Sequence, residues 1–356
     1  MEDKSKWRVF REQISEDPQI VGTFIIGAVI LLGEFLSNLF GAEKISIATV
    51  LPRAIGLLAL FGGLVFYFYR AYRTAQWILA AKHVPVVFIA GRPREEAEAT
   101  LKKAQETITR QTGFKEFKHI ESRLNVSYRD LTVHGKQKLK PDFAEWKDFI
   151  DDGQWQIRRF VDRVSGDKVY HVFIYGPASL ALGLGVVFGS KHRLIAYQYS
   201  DGAYQPVIDL SHDIRRIKEK KQTENKFIQV KLPTQLAADT AVVLDLASHP
   251  DEGDVSSYLK SANQSMATVE VGNTYGGHLK VPDWAPVVQE VYGVFTQIEA
   301  TEGVSRIHLF QSMPVAMAFG LGVALGNFKP ITVYNWEAQQ KTYYPVLKLN
   351  ELQSII

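Results

Sequence analysis

Two apolar stretches open the chain. Val21 to Phe40 reads VGTFIIGAVILLGEFLSNLF with a single charge, and the run from Ala54 into Tyr72 is apolar as far as Tyr69. A helix rising about 1.5 Å per residue needs roughly 20 residues to cross the hydrocarbon of a bilayer, so both stretches qualify as spans, over about 21–40 and 54–72. The short link Gly41–Pro52 makes them a hairpin. A signal peptide would not carry so long and mixed-charge a leader as Met1–Pro18, and a second span follows at once. A helical hairpin buried in a soluble protein is the other way to read the pattern. Lysine and arginine flank the hairpin on its outer sides (Lys4, Lys6, Arg8 and Arg11; then Arg70, Arg73 and Lys82), whereas the link holds only Lys44 and Arg53. Both termini are therefore expected to be cytoplasmic. Trp7, the run Phe66 to Tyr69, and Trp77 suit interface anchors.

Glu34 breaks the apolar pattern. An ionisable side chain inside a span is costly and marks a functional position. Either it faces an interior or wet path between associated hairpins, or it sits near the outer interface and reaches water. Gly27, Gly33, Gly56, Ala59 and Gly63 are small residues at near-helical spacing that permit close helix approach.

Beyond residue 80 the pattern repeats itself. HVFIYGPASLALGLGVVFG (171–189) returns as HLFQSMPVAMAFGLGVALG (308–326), at a fixed offset of 137 (308 − 171). His171 matches His308, Phe173 matches Phe310, Pro177 matches Pro314, and Tyr197 matches Tyr334. After a two-residue insertion, Tyr204-Gln-Pro-Val matches Tyr343-Tyr-Pro-Val. Two copies make a duplicated domain.

Each copy has one grammar. A β-branched and aromatic run precedes a proline, which suits a strand followed by the first turn of a helix. That helix ends at a glycine, Gly189 or Gly326. Further strands follow at RLIAYQYS and PITVYNW, then at Tyr-x-Pro-Val; upstream lie PVVFIA (85–90) and TAVVLDLA (240–247). Ala97, Leu101, Ala104 and Ile108 trace one helix, and Val287, Val291, Phe295 and Ile298 another. Asp142 and Glu145 are spaced as a capping box before Trp146. Alternating strands and helices imply parallel sheets covered on both faces. The predicted fold is α/β: two tandem Rossmann-like units, 81–211 and 236–356, joined by a polar linker over 212–235 and preceded by a 1–80 segment carrying the hairpin.

The chain has 356 residues, a net charge of +3 and no cysteine. That excludes disulfides, thiolate metal sites, iron–sulfur clusters and cysteine nucleophiles, and gives no field for duplex nucleic acid. The Gly-x-Gly pairs do not make a dinucleotide fingerprint, because Gly183 and Gly320 fall well past the proline, inside the helix. Close helix packing against the sheet or the sister unit is the role expected of them. No nucleophile elbow, Walker loop or His-Glu-x-x-His is present, and no histidine pair has metal-ligand spacing. His171 and His308, at identical places in the two copies, are expected to hold structural hydrogen bonds. The cluster Asp251, Glu252, Asp254 reads as a solvated turn. Neither cofactor nor metal is implied.

A binding site is implied instead. In open α/β sheets ligands sit beyond the carboxyl ends of the strands, beside helix N-termini. Those ends carry Gly91, Arg92 and Arg94; Tyr175 and Gly176; Ser248 and His249; and Gln311 and Ser312. Tyr275, in a Tyr-Gly-Gly-His loop, could cover the site. Arginine suits phosphate, and tyrosine or histidine can stack on bases.

RIHLFQSMPVAMAFGLGVALG, then ITVYNW and YYPVLKL, resembles the closing segment of SAVED domains, the sensor modules of effectors in bacterial CBASS anti-phage systems. The likeness covers roughly 81–356 and is clearest over 305–349. With two spans in front, the whole chain resembles the two-transmembrane SAVED class. The resemblance implies a fusion of two CARF-like units that binds a cyclic oligonucleotide, often a cyclic trinucleotide, and then assembles into a homo-oligomer. It implies disruption of the inner membrane, a multi-pass protein of the bacterial inner membrane, and no enzymatic role, slow ring-opening of the ligand aside; Glu34 and Gly63, singled out by the hairpin pattern itself, are the acting positions expected. A membrane-anchored nucleotide-processing enzyme and a structural adaptor are the competing readings.

Overall fold

The computed structural model describes Tyr69 and, within 82–353, all residues except 92–93, 114–115, 126, 128–129, 131, 136–137, 165, 219–224 and 248–251. Apart from Tyr69, the two expected spans, with Glu34 and Gly63, lie outside the described residues. Among the described residues no helix is long and apolar enough to cross a membrane.

The first half runs β1 (Lys82–Ala90), α1 (Arg94–Thr112), α2 (Phe117–Leu124), β2 (Thr132–Gly135), α3 (Phe143–Arg163), β3 (Lys168–Tyr175), α4 (Ala178–Phe188), β4 (Leu194–Ser200) and β5 (Ala203–Asp209). The second runs β6 (Ile228–Lys231), β7 (Asp239–Asp245), α5 (Glu252–Ser261), β8 (Ala267–Asn273), α6 (Ala285–Ala300), β9 (Arg306–Ser312), α7 (Val315–Leu325), β10 (Ile331–Glu337) and β11 (Thr342–Lys348). The first sheet has the order β2-β1-β3-β4-β5, and the second, read from its other edge, β6-β8-β7-β9-β10-β11. With β6 set aside the two orders are one, which is the doubly wound order with a switch point between β1 and β3, or β7 and β9.

The expectation of wholly parallel sheets is corrected at the edges. β1, β2, β3 and β4 pair in parallel, but β5 returns antiparallel to β4, and β11 antiparallel to β10. The connections are too short for a crossover, so the chain can only turn back. Both hairpins carry an irregularity at the same place, before Tyr197 and before Tyr334. A second difference lies in the stretch read as a linker: it contains β6, which pairs antiparallel with β8. Glu290, on α6 and 4% exposed, explains the docking, because its carboxylate accepts backbone N–H groups of Lys226, Phe227 and Ile228 at 2.8–3.0 Å.

Helices α4 and α7 are apolar all round, and Leu180–Phe188 and Ala316–Leu325 are buried throughout, as such a helix must be. They pack on one another through the glycines of the repeat. A Cβ on Gly185 would land on the carbonyl oxygen of Phe319, and one on Gly322 on the carbonyl oxygen of Leu182. Since Leu182 and Gly185 are the counterparts of Phe319 and Gly322, the contact maps onto itself under exchange of the halves, the signature of a two-fold relation. Gly183 and Gly320 make room for the sister half in the same swapped way: a Cβ there would meet Leu347 Cδ1 at 2.8 Å and Ile208 Cδ1 at 2.5 Å. The expected packing role of the Gly-x-Gly pairs is what the structure shows. One continuous hydrophobic core consequently runs through both halves, with a smaller cluster around Phe310, Tyr334 and Tyr343.

The predicted cap of α3 forms with one change. Asp142 Oδ1 accepts the N–H of Ala144 at 3.0 Å, but Glu145 reaches back past the cap to the N–H of Lys140. The indole N–H of Trp146 donates to the Lys140 carbonyl at 2.7 Å, which draws the preceding loop inward and places Glu145 opposite the wrong amide for a standard box.

Candidate functional site

At the carboxyl ends of the first sheet a cavity of about 610 Å³ opens between the halves. β1 and β3 contribute Ala90, Gly91, Ile174, Tyr175 and Gly176, flanking the switch point. Gly91 ends its strand at φ +69°, a left-handed turn that glycine adopts at no steric cost, and its N–H donates to the Gly135 carbonyl at 3.0 Å. β4 contributes Gln198 and Tyr199, and α4 enters through Pro177. From the second half come Val315, at the start of α7, and Asn335 and Glu337, at the end of β10.

Both helix N-termini are tied to the opposite half. Gln198 Oε1 accepts the N–H of Ala316 at 3.2 Å and so caps the sister helix. Ser179 donates to the Tyr334 carbonyl at 3.1 Å, lies 3.2 Å from Asn335 Oδ1, and accepts from Gln311 Nε2 at 3.2 Å. Gln311 is buried, and its Oε1 has no hydrogen-bond partner among the described residues. Uncompensated helix N-termini offer N–H groups and partial positive charge to an anion.

One ion pair crosses from half to half at the cavity wall. Lys138 Nζ donates to both carboxylate oxygens of Glu337 at 2.8 Å. That hydrogen bond, with one from the Gln339 backbone, holds the Glu337 carboxyl below its usual range. Lys138 itself is largely exposed, so the pair is open to solvent and to exchange of partners.

The structure sorts the residues expected at the site. Gly91, Tyr175 and Gly176 line the cavity. Gln311 stands behind it in the contact between halves. Ser312, at the end of β9, accepts the N–H groups of Leu246 and Ala247 on its carbonyl and does not line it. Tyr275 follows β8, where its N–H donates to Asn273 Oδ1 at 2.8 Å, and is likewise not in the lining. Arg92, Ser248 and His249 lie outside the described residues, and of Arg94 only the backbone, at the start of α1, is described. Sequence reasoning missed Lys138, Gln198, Tyr199, Asn335 and Glu337. Gln198 and Asn335 were legible in principle, since they are counterparts at the repeat offset and sit at strand ends. Nothing local marks Lys138, which the fold alone carries there.

His171 and His308 do share one geometry. Nδ1 of His171 lies 2.8 Å from Tyr197 Oη, and Nδ1 of His308 lies 2.9 Å from Tyr334 Oη. The other ring nitrogen of His171 meets His83 at 2.9 Å, and that of His308 meets Asp239 at 3.3 Å. Burial, and then His83, press the His171 pKa well below 6.5. Burial also lowers that of His308, against the pull of Asp239. Among the described residues no group of three His, Cys, Asp or Glu side chains could hold a metal ion.

Two Rossmann-like units related by a two-fold, with a cavity at the strand ends and lined from both, define a tandem α/β module. The chain belongs to the SAVED family: the model of this "SMODS-associated and fused to various effectors sensor domain" matches residues 119–210 and 215–349, more than half of the sequence. Among solved structures it is similar to the Acinetobacter baumannii Cap4 SAVED/CARF-domain receptor with the cyclic trinucleotide 3'3'3'-cAAA (17% identity, TM-score 0.49, 72% of this chain and 62% of that one). The same receptor with 2'3'3'-cAAA is matched at 16% identity and TM-score 0.49, over 79% of this chain and 65% of that one. The Moraxella osloensis Cap4 receptor is matched at 17% identity and TM-score 0.43, over 73% and 61%. The chain thus spans less than two thirds of the length of these receptors. No curated protein sequence matches it.

Proposed function

We propose that this chain is a membrane-anchored CBASS effector whose SAVED module binds a cyclic oligonucleotide, with a cyclic trinucleotide favoured, and carries no catalytic role of its own. The observation that carries the reading is the cavity of about 610 Å³ at the switch point, lined from both halves. A ring of phosphates and bases needs anion contacts around a rim and flat faces inside it. The N-terminus of α4, which has no side-chain cap, and Lys138 suit the first, and Tyr175 and Tyr199 the second. A ligand that touches both halves binds best to one arrangement of them, and it shifts the protein toward that arrangement by its difference in affinity alone. The favoured arrangement self-associates, and the association crowds the N-terminal hairpins, with Glu34 and Gly63 at their contacts, until the inner membrane leaks. Both termini remain on the cytoplasmic side.

The test uses the full chain in phospholipid vesicles loaded with dye. Cyclic di-, tri- and tetranucleotides are screened by thermal shift and by leakage, starting from 3'3'3'-cAAA. A cognate ring stabilises the module by about 2.7 kcal/mol when present at a hundredfold over its dissociation constant, and it releases the dye. Glu34→Ala or Gly63→Leu leaves the shift intact and abolishes release. Release that persists in both variants removes the hairpin from the mechanism, and a screen with no stabilising ring removes the ligand class.

A further inference from the structure

The duplication offers an internal comparison. In the first half Phe173 stacks on Tyr197 with ring centroids 4.4 Å apart, and Tyr204 meets Phe173 edge-on at 5.0 Å. In the second, Phe310 stacks on Tyr334 at 4.3 Å, and Tyr343 meets Phe310 edge-on at 5.1 Å. The next ring outward is Tyr199, 5.2 Å from Tyr204, and its counterpart is Trp336, 5.0 Å from Tyr343. To this point the clusters are copies.

They differ in the helix that covers them. α5 lays Tyr258 against all three rings of its cluster, at 5.8, 5.7 and 6.0 Å from Phe310, Tyr334 and Tyr343. α1, which follows the equivalent strand, supplies no ring. It presents Glu96, Ala99, Thr100 and Lys103 at helical spacing, and between them and Tyr175, Tyr199 and Tyr204 lies a chamber of about 200 Å³. A cavity of about 150 Å³ already holds a benzene-sized ring. Tyr204 is 2% exposed, and its hydroxyl has no hydrogen-bond partner among the described residues. A buried hydroxyl left so is costly until something pairs with it. Lys103 holds its ammonium over the Tyr199 ring and hydrogen-bonds to the Tyr199 hydroxyl. Tyr175 and Tyr199 line the chamber on one side and the large cavity on the other.

We infer that this chamber is a nucleobase pocket: one base of the bound ring passes between Tyr175 and Tyr199 and takes the place that the second half fills with Tyr258. The inference rests on the cyclic-oligonucleotide reading above and adds where a base goes. The flat faces of the cluster stack on any base. In the second half Tyr258 stands at the corresponding place, so the ligand is held asymmetrically by a nearly symmetric module.

The test is to plug the first half in the same way. Thr100→Tyr puts a ring on the chamber face of α1, and Ala99→Phe does so from an exposed position one residue earlier. Cyclic trinucleotides containing each of the four bases are titrated calorimetrically into the full chain and both variants, and melting without ligand checks that each variant folds. Loss of one base contact weakens binding roughly ten- to a hundredfold, and that loss is expected in whichever plugged variant melts like the parent. With 2-aminopurine in the ring, the parent shields one base from acrylamide and the plugged variant shields none. Parent-like affinity and shielding in a folded plugged variant overturn the pocket while leaving ring binding in place. A parent that binds no ring overturns both.

Discussion

Gly185 and Gly322 set the strictest local condition in the molecule. Each faces a carbonyl oxygen of the sister helix with no room for a methyl group, and backbone cannot retreat as a flexible side chain can. Gly185→Ala is expected to lower stability by about 3 kcal/mol or more, at the upper end for overpacking. Urea unfolding of the full chain reads this directly, and a parent-like midpoint would show that the helices can separate at little cost. His171 sets a condition of another kind. Its folded pKa lies well below 6.5, so the unfolded chain takes up the proton first on acidification. Stability is therefore full above about pH 6.5 and falls below it, with His308 contributing in the same sense. Melting temperatures followed from pH 7 toward 5 should drop, and His171→Gln should flatten the drop. An equal drop in the variant would place the titrating group elsewhere.

Among the elements, the end of β10 and the segment after β2 meet at the cavity wall through Glu337 and Lys138. On the function proposed above, a carboxylate on the cavity wall is unfavourable to a phosphate-bearing ligand, and here it also holds Lys138. Glu337→Gln removes the negative charge and releases Lys138 to the ligand. It is expected to tighten binding of a cyclic trinucleotide roughly three- to tenfold at low salt, with a smaller gain at high salt because exposed charges are screened. Lys138→Gln should weaken it in the same assay. Unchanged affinity in both variants would take the pair out of the site. Gln198 and Ser179 carry the same lesson in neutral form: each sits at the end of one element and is completed by an element of the other half.

For the whole molecule, the duplication has two consequences that no single half shows. A shared apolar core makes the halves one folding unit. The near-symmetry also makes departures from it informative, since Tyr258 on α5 and the open chamber on α1 differ at one point of otherwise matching clusters. Selection on a duplicated fold can keep the scaffold equal and let the sites diverge.

The sequence by itself determined the repeat, the strands and helices of the repeated segments, the glycine-ended helices and the strand ends where Gly91, Tyr175 and Gly176 line the cavity. These follow from periodicity and from backbone rules that act over a few residues. Tertiary structure alone decided that α4 and α7 meet glycine to carbonyl, that β5 and β11 turn back, that β6 leaves the linker for the second sheet, and that Lys138 and Glu337 join a site built largely by the first half. Those contacts join residues far apart in the chain, and their energy comes from shape and charge brought together by packing, of which no local pattern carries a trace.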